Sequence, residues 1–388
     1  MRITPEEISS KIGFGSTPKG GNYSKDGIPF FLSQNVYNEG LVCADMKFIS
    51  NATHKRMIGT EVRPKDLLLN ITGGSLGRCA IVSDEFQIGN VSQHVCIIRP
   101  IFVLSSYVHS FILSSLFKKS MNITGSGREG LPKYNLEKMF LPLPPLTEQT
   151  RIVTEIEHWT KLIDAIEQEK IDLQIAIKQA KSKILELAIH GKLVPQNPAE
   201  EPASELLKRI NPKVEIACDN EHNRKFPDGW AILKVKDAFI INPRNELDDN
   251  TDVGFIPMAY INDGYSGEFK YAQKKWAEIK NGFTHFSDGD IAVAKISPCL
   301  ENLKSMILKG LPNGVGAGTT ELYVFRALYT SSEYSLFFFK SNSFVRKCVG
   351  TFNGVVGQQR VGKRIIEDIL FPIPPSVEQE RIVAKIKE

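Results

Sequence analysis

The residue patterns in this sequence that could carry chemistry are few, and each is incomplete. Gly125-Ser126-Gly127-Arg128-Glu129-Gly130 has the G-x-G-x-x-G spacing that cradles a pyrophosphate at a helix N-terminus. Leu131-Pro132 follows where that helix should open, and no βαβ unit surrounds the glycines, so a nucleotide site is not expected. Methyl transfer to an adenine amino group would need an Asn/Asp-Pro-Pro-aromatic loop beside a methyl donor. Asn242-Pro243-Arg244 lacks the second proline and the aromatic, so no catalytic residue is expected on this chain. His94, His109 and His285 stand alone, without metal-ligand spacing, and read as structural or merely exposed. Cys43, Cys79, Cys96, Cys218, Cys299 and Cys348 show neither C-x-x-C pairing nor the Cys/His spacing of a zinc site, so reduced, mostly buried thiols are expected. Neither a metal nor a cofactor is expected.

A mildly basic chain, with a net charge of +4, could instead have a DNA partner, and recognition would then fall to its polar loops. Base edges are read by bidentate Arg on guanine and by Asn or Gln on adenine, so polar loops rich in Gly, Asn, Gln, Ser and Arg are the candidates for DNA contact. In the first half these give Lys19, Asn22, Tyr23, Gln34, Asn35, Thr72, Gly73, Gly74, Ser75, Arg78, Ser126, Arg128 and Lys133. In the second half they give Arg244, Asn245, Tyr260, Asn262, Lys295, Asn302, Thr319, Thr320, Asn353, Gln358, Gln359, Arg360 and Lys363. The glycine-rich loop around Arg128 suits close approach to a DNA backbone, and TFNGVVGQQRVGK (351–363) holds the same place in the second half. A net charge of +4 and a pI near 8.5 suit a DNA partner, but also many proteins that touch none.

The elements that position these loops are set by an internal repeat. Residues 141–157, LPLPPLTEQTRIVTEIE, match residues 371–387, FPIPPSVEQERIVAKIK, at nine identical positions with an offset of 230. Further upstream VYNEG (36–40) is similar to YINDG (260–264), and PKDLLLNI (64–71) to DGDIAVAKI (288–296). The chain is two diverged copies of one unit, each a globular part followed by Pro-x-Pro-Pro and a helix, a duplication far longer than a solenoid repeat. Apolar runs such as Val95–Ile98, Ile291–Ile296 and Glu321–Phe325 predict strands, and Ser105–Lys119 and Ser331–Lys347 predict helices. Each half is therefore expected to be α+β with a β-rich core.

Beyond Pro145 the period changes. Apolar residues recur at 152, 156, 159, 163, 166, 173, 177, 180, 184 and 187, a heptad seam broken only at Lys170. With Pro144-Pro145 before it, Thr147 as N-cap, and Gly191 and Pro195 after it, a helix is predicted over about 147–190, roughly 65 Å at 1.5 Å per residue. Thr4, Pro5 and Glu7 predict a capping box at a helix start rather than a signal peptide, and no window approaches a membrane span. A cytoplasmic protein without membrane contact is expected.

The motifs P-L-P-P-L-x-E-Q-x-R-I-V (142–153), P-I-P-P-S-x-E-Q-x-R-I-V (372–383) and LELAIHGKLVPQNPAEEPASELLKRI (185–210) resemble those of the specificity subunits of type I restriction-modification systems. The loop TGGSLGR (72–78) resembles a family loop that approaches DNA. The resemblance implies a target-recognition domain over 1–141, a spacer helix over 142–192, a linker over 193–225, a second target-recognition domain over 226–371 and the start of a second spacer helix over 372–388. It further implies that each domain reads one part of a split site in double-stranded DNA, and that paired helices set the gap. By the same resemblance, modification subunits are expected to dock on those helices and methylate adenine, and a restriction subunit to complete the endonuclease. The second helix, Val377–Glu388, has about 12 residues against about 44 in the first, so either the chain is truncated or another polypeptide completes the pair. Since six heptads of seam cannot be covered by fewer than two, pairing of two copies through the long helix is one expectation. Two other classes stay open: a coiled-coil adaptor that binds only protein, and a nuclease or methyltransferase in its own right.

Overall fold

The computed structural model of the chain describes residues 2–18, 20, 23–121, 123, 130–217, 226–351 and 359–388. The chain divides into two compact units, Met1–Glu169 and Lys170–Glu388.

Each unit repeats one topology. In the first, Ser9–Phe14, Val95–Pro100, Leu67–Asn70 and Cys79–Ile81 form an antiparallel sheet in that order. A second sheet runs Lys47–Ile49, Ile28–Phe31, Gly89–Val91 and Glu61–Val62, its central pair parallel. The second unit repeats both sheets, as Phe239–Ile241, Leu322–Ala327, Ile291–Ala294 and Ser305–Ile307, and as Ala272–Lys275, Asp252–Ile256, Val315–Gly318 and Thr284–Ser287, again with a parallel central pair.

The apolar runs seen in the sequence are strands buried on both faces. Side chains alternate across a strand, so Leu67 and Leu69 enter the core under the helices Ser105–Leu113 and Ser115–Ser120, while Leu68 enters the core shared with the second sheet. Ile291 and Val293 divide in the same way from Ala292 and Ala294. In each unit a buried Asp just ahead of one central strand pairs with an Arg on the other central strand. Asp66 takes a bidentate pair from Arg99 at 2.7 Å, and Asp290 takes one from Arg326 at 2.7 and 2.9 Å.

The repeated Pro-Pro-x-x-Glu-Gln motif has a structural cause. Gln149 is buried, accepts from the Leu104 amide at 3.0 Å and donates to Pro144 O at 2.9 Å. Gln379 does the same with the Ser331 amide and Pro374 O at 3.1 and 3.0 Å. Each glutamine thus ties a helix start to the polyproline turn, and the Tyr107 and Tyr334 hydroxyls brace that turn by donating to Pro142 O and Pro372 O.

The long helix spans Leu146–Ile189, so Thr147, expected as its cap, sits instead in the first turn. Its end is a Schellman motif: Gly191 has φ +65°, Lys192 N–H donates to Leu187 O at 2.8 Å and Gly191 N–H to Ala188 O at 3.2 Å. Ile152 and Val153 pack on the first core, and Leu185, Ala188 and Ile189 are buried at the other end. Between them Ile156, Trp159, Ile163, Ile166, Leu173 and Ile177 are 43% to 65% exposed. The C-terminal helix spans Ser376–Lys387. The capping box at Thr4 and Glu7 is present, but it opens a single 3-10 turn, Pro5–Ile8, that runs into a strand.

Candidate nucleic-acid interface

At one end of the first sheet in each unit, three stretches far apart in sequence are joined by equivalent backbone bonds. In the first unit Ile71 N–H donates to His94 O, Leu131 N–H donates to Ile71 O, and Thr72 bridges Gly130. In the second, Lys295 N–H donates to Glu321 O, Val361 N–H donates to Lys295 O, and Ile296 bridges Arg360. A hairpin turn, a strand start and the chain leading out of the glycine-rich loop therefore meet at one place in both.

Of the expected contact residues in the first unit, this geometry brings together Thr72, Gly73, Gly74, Ser75 and Arg78. Gly73–Ser75 form a 3-10 turn, with Gly73 at φ +68° and open space around Gly73 and Gly74. Thr72 Oγ1 bonds His94 Nδ1 at 2.9 Å, and the Arg78 guanidinium lies 4.8 Å from the Tyr37 ring centroid. Gln93, which the loop reading missed, is exposed beside His94 and lines a cleft of about 380 Å³ with Phe14, Ile71, Thr72 and Gly130. The only sequence signal for Gln93 is its place two residues ahead of the strand Val95–Pro100. Tyr23 and Gln34 are exposed on other loops. Lys133 pairs with Glu137 at 3.0 Å.

In the second unit a cleft of about 290 Å³ lies at the same end, lined by Asn242, Arg244, Thr284, His285, Lys295 and Thr320. Among the described residues no carboxylate lines it. Lys295 Nζ sits 5.1 Å from the Tyr323 ring centroid, and Arg244 approaches His285 Nε2 at 3.5 Å. His285 is a structural histidine: its Nδ1 accepts from the Asn245 amide and its Nε2 meets Lys280 O at 2.9 Å. Burial, and then the Arg244 charge, holds its pKa below the usual value, so the ring is neutral at pH 7. His109 is likewise bonded to Cys79 O at 2.8 Å. Thr319 caps its own turn through the Glu321 amide, and Thr320, Tyr260 and Asn302 are exposed. Asn262 is exposed and donates to Glu268 at 3.1 Å.

Four of the expected contact residues have side-chain partners within the chain. Asn35 is fully buried, its amide accepting from Leu32 N–H and donating to Val42 O and Ala44 O, so no donor is left for a base. Asn245 is engaged with Phe286 O and the Ser287 hydroxyl. Arg360 forms a bidentate pair with Glu321 at 2.8 and 2.9 Å, and those hydrogen bonds hold the Glu321 carboxyl below the usual carboxylate range. Lys363 pairs with Glu367 at 3.3 Å, as Lys133 pairs with Glu137. Gln359 supplies its backbone oxygen to Ser297 N–H at 2.9 Å. Lys19, Asn22, Ser126, Arg128, Asn353 and Gln358 lie outside the described residues. Among the described residues no group of His, Cys, Asp and Glu could hold a metal ion, and no helix is long and apolar enough to cross a membrane.

The chain is 40% identical over 262 residues, 61% of its length, to the type I restriction enzyme EcoAI specificity subunit of Escherichia coli, of which it covers 44%. It is 43% identical over 233 residues, 55% of its length, to the EcoEI specificity subunit of Escherichia coli, of which it covers 39%. The chain thus spans less than half the length of these two relatives. The HsdS subunit from Thermoanaerobacter tengcongensis has the same fold, with a TM-score of 0.59 at 14% identity over 100% of this chain and 88% of that one. So has a chain from a structure of the assembly and conformational transition of the type I R-M system, with a TM-score of 0.61 at 14% identity over 100% of this chain and 89% of that one. Residues 10–175 and 227–388 match the family described as the type I restriction modification DNA specificity domain, and the chain belongs to that family.

Proposed function

We propose that this chain is the DNA-reading specificity subunit of a type I restriction-modification complex, in which each unit reads one half of a bipartite duplex target. The observation that carries this is the convergence of three polar stretches on the same sheet end in both units. One frame repeated twice, with different side chains at the reading end, suits two half-sites of different sequence. The contact residues are Thr72 to Ser75, Arg78, Arg244, Lys295 and Thr320, joined by the exposed Tyr23, Gln34, Tyr260 and Asn302. Loops carrying Lys19, Asn22, Ser126, Arg128, Asn353 and Gln358 belong to the same reading. Adenine methylation and cleavage reside on modification and restriction subunits in the cytoplasm, and the chain itself is no enzyme.

Binding isotherms on duplex DNA at several salt concentrations test this. Phosphate contacts make log K fall linearly with log salt, by about 0.9 per phosphate, whereas a protein-only adaptor shows no such slope. The purified chain alone transfers no methyl group, and with its modification subunit it directs methylation to one sequence. Methyl transfer by the chain alone contradicts the reading.

The bare stripe on the long helix favours a helical partner, and a second copy paired antiparallel is the version we infer. Sedimentation of the wild type and of the Ile163→Lys, Ile177→Lys variant checks it. A wild-type monomer at micromolar concentration contradicts it.

A further inference from the structure

Tyr260, Asn262 and Asn302, all exposed in the second unit, lie on two turns that touch each other. The turn 260–270 is closed by the Ile261–Phe269 bridge and by Asn262 N–H donating to Glu268 O at 3.0 Å. The turn 297–304 is closed by Lys304 N–H donating to Cys299 O at 3.0 Å. Gly264 N–H donates to Asn302 O at 2.8 Å, and the Lys304 ammonium pairs with Asp263 at 3.4 Å, so the two turns meet at their exposed side. Lys340, which closes the helix Ser332–Phe339, reaches the same junction from the buried side. Its ammonium donates to Gly264 O at 2.5 Å and to Leu303 O at 3.2 Å, one carbonyl from each turn.

The frame common to both units does not call for a lysine there. Leu113 holds the same place in the first unit, one residue ahead of a capping serine. A buried charge is also costly, and among the described residues no carboxylate forms an ion pair with Lys340. What differs between the units is the turns. Gly77 stands two residues ahead of the strand Cys79–Ile81 with φ +86°, and Leu303 stands two residues ahead of the matching strand Ser305–Ile307 with φ +59°. That left-handed conformation is open to glycine and unfavourable for leucine. The lysine thus holds the carbonyl of a strained residue that the first unit does not have.

We propose that Lys340 is a positioning residue for base reading by the second unit: by holding one carbonyl on each turn it fixes Asn262 and Asn302 relative to each other, and so sets which bases the pair meets. This rests on the reading of the second unit as a half-site reader. An asparagine amide that bonds a base edge must be placed to within about 0.5 Å, and a side chain exposed on a turn has no packing of its own to place it. Charge-assisted bonds to the backbone beneath supply that placement without touching DNA.

The test uses the full chain, with the duplex target mapped from methylated adenines as the probe. The half read by the second unit is the one kept when residues 1–140 are exchanged for those of a relative. Binding is measured at several salt concentrations on the intact target and on duplexes with either half scrambled. Lys340→Met removes both bonds and leaves an apolar side chain where the first unit has one, so the fold should be retained. Discrimination against a scrambled second half should fall roughly tenfold, while the salt slope and discrimination at the first half stay as in wild type. Amide exchange should quicken at 260–270 and 300–304 and stay unchanged in the strand Leu322–Ala327. Full discrimination at the second half in Lys340→Met overturns the proposal. Faster exchange in Leu322–Ala327 as well, with a reduced salt slope, makes Lys340 a support of the whole unit and also overturns it. Asn262→Ala with Asn302→Ala separates the proposal from the reading beneath it. If that variant loses discrimination and Lys340→Met keeps it, the half-site reading stands and the positioning role falls. If the wild type itself does not discriminate at the second half, both fall.

Discussion

Ile71 and Lys295 hold the same place in the two units, bonded to a strand start on one side and to the chain after the glycine-rich loop on the other. Around that shared pattern the side chains diverge. Gln93, His94 and Gly130 in the first unit stand where the second has Thr320, Glu321 and Arg360. Arg244 lies three residues past Ile241, which pairs with Phe325 as Ile12 pairs with Ile98, so its counterpart is Gly15. A Cβ on Gly15 would lie 2.2 Å from Val91 O, which closes that position to an arginine. Deep in the sheets the Asp–Arg pairs and the tied glutamines are retained. The frame is held by buried contacts that both units share, while the side chains beyond the sheet end differ between them.

The largest effect should come from breaking the frame. Asp66→Asn or Asp290→Asn leaves a partly buried guanidinium without its carboxylate, and breaking a buried pair costs about 3 to 5 kcal/mol. The loss should be greater at Asp66, because the Arg99 side chain is 20% exposed and Arg326 is 39% exposed. Hydrogen exchange resolved by unit in rising urea checks this, and equal losses would remove burial as the cause.

Next is a charge that only the second unit buries. Lys340 precedes the capping Ser341 as Leu113 precedes the capping Ser114, and its ammonium donates to Gly264 O at 2.5 Å and Leu303 O at 3.2 Å with 1% of the residue exposed. Burial lowers its pKa to about 8. The unfolded chain then binds more protons than the folded one between about pH 8 and the free lysine value near 10.4. Stability of the second unit should therefore rise across that window, by at most about 3 kcal/mol, and stay flat below it. Denaturation midpoints from pH 7 to 10 should show the rise in wild type and lose it in Lys340→Met.

Smaller effects concern binding. Arg244→Ala with Lys295→Ala should lower the salt slope of DNA binding by about 1 to 2, whereas Thr72→Ala with Gln93→Ala should leave the slope and relax sequence preference. Equal slopes in both variants would remove the electrostatic contrast between the units. The smallest change is in stability: Gly73→Ala, at φ +68°, should cost about 1 kcal/mol, and Gly74→Ala nearly nothing.

Much of the frame was legible in sequence because its signals are local. Prolines 144 and 145 forbid helix, a heptad seam follows, and Gly191 supplies the left-handed residue the helix end needs. Strands such as Val95–Pro100 show as apolar runs since both faces are buried. The second sheet of the first unit was not legible, because strands of two or three residues, such as Glu61–Val62, have no periodicity to read. The site was legible only as groups of loops. An asparagine that caps a buried turn, as Asn35 does, has the same side chain as one that reads adenine, and only burial separates them. The Arg360–Glu321 pair joins residues 39 apart and leaves no local mark.

The central claim is that two units read two half-sites independently. Residues 1–140 should be exchanged for those of a relative, the hybrid expressed with its modification subunit, and methylated adenines mapped across a host genome. The account predicts that one half of the bipartite target changes while the other half keeps its sequence. A change in both halves, or in neither, would contradict it.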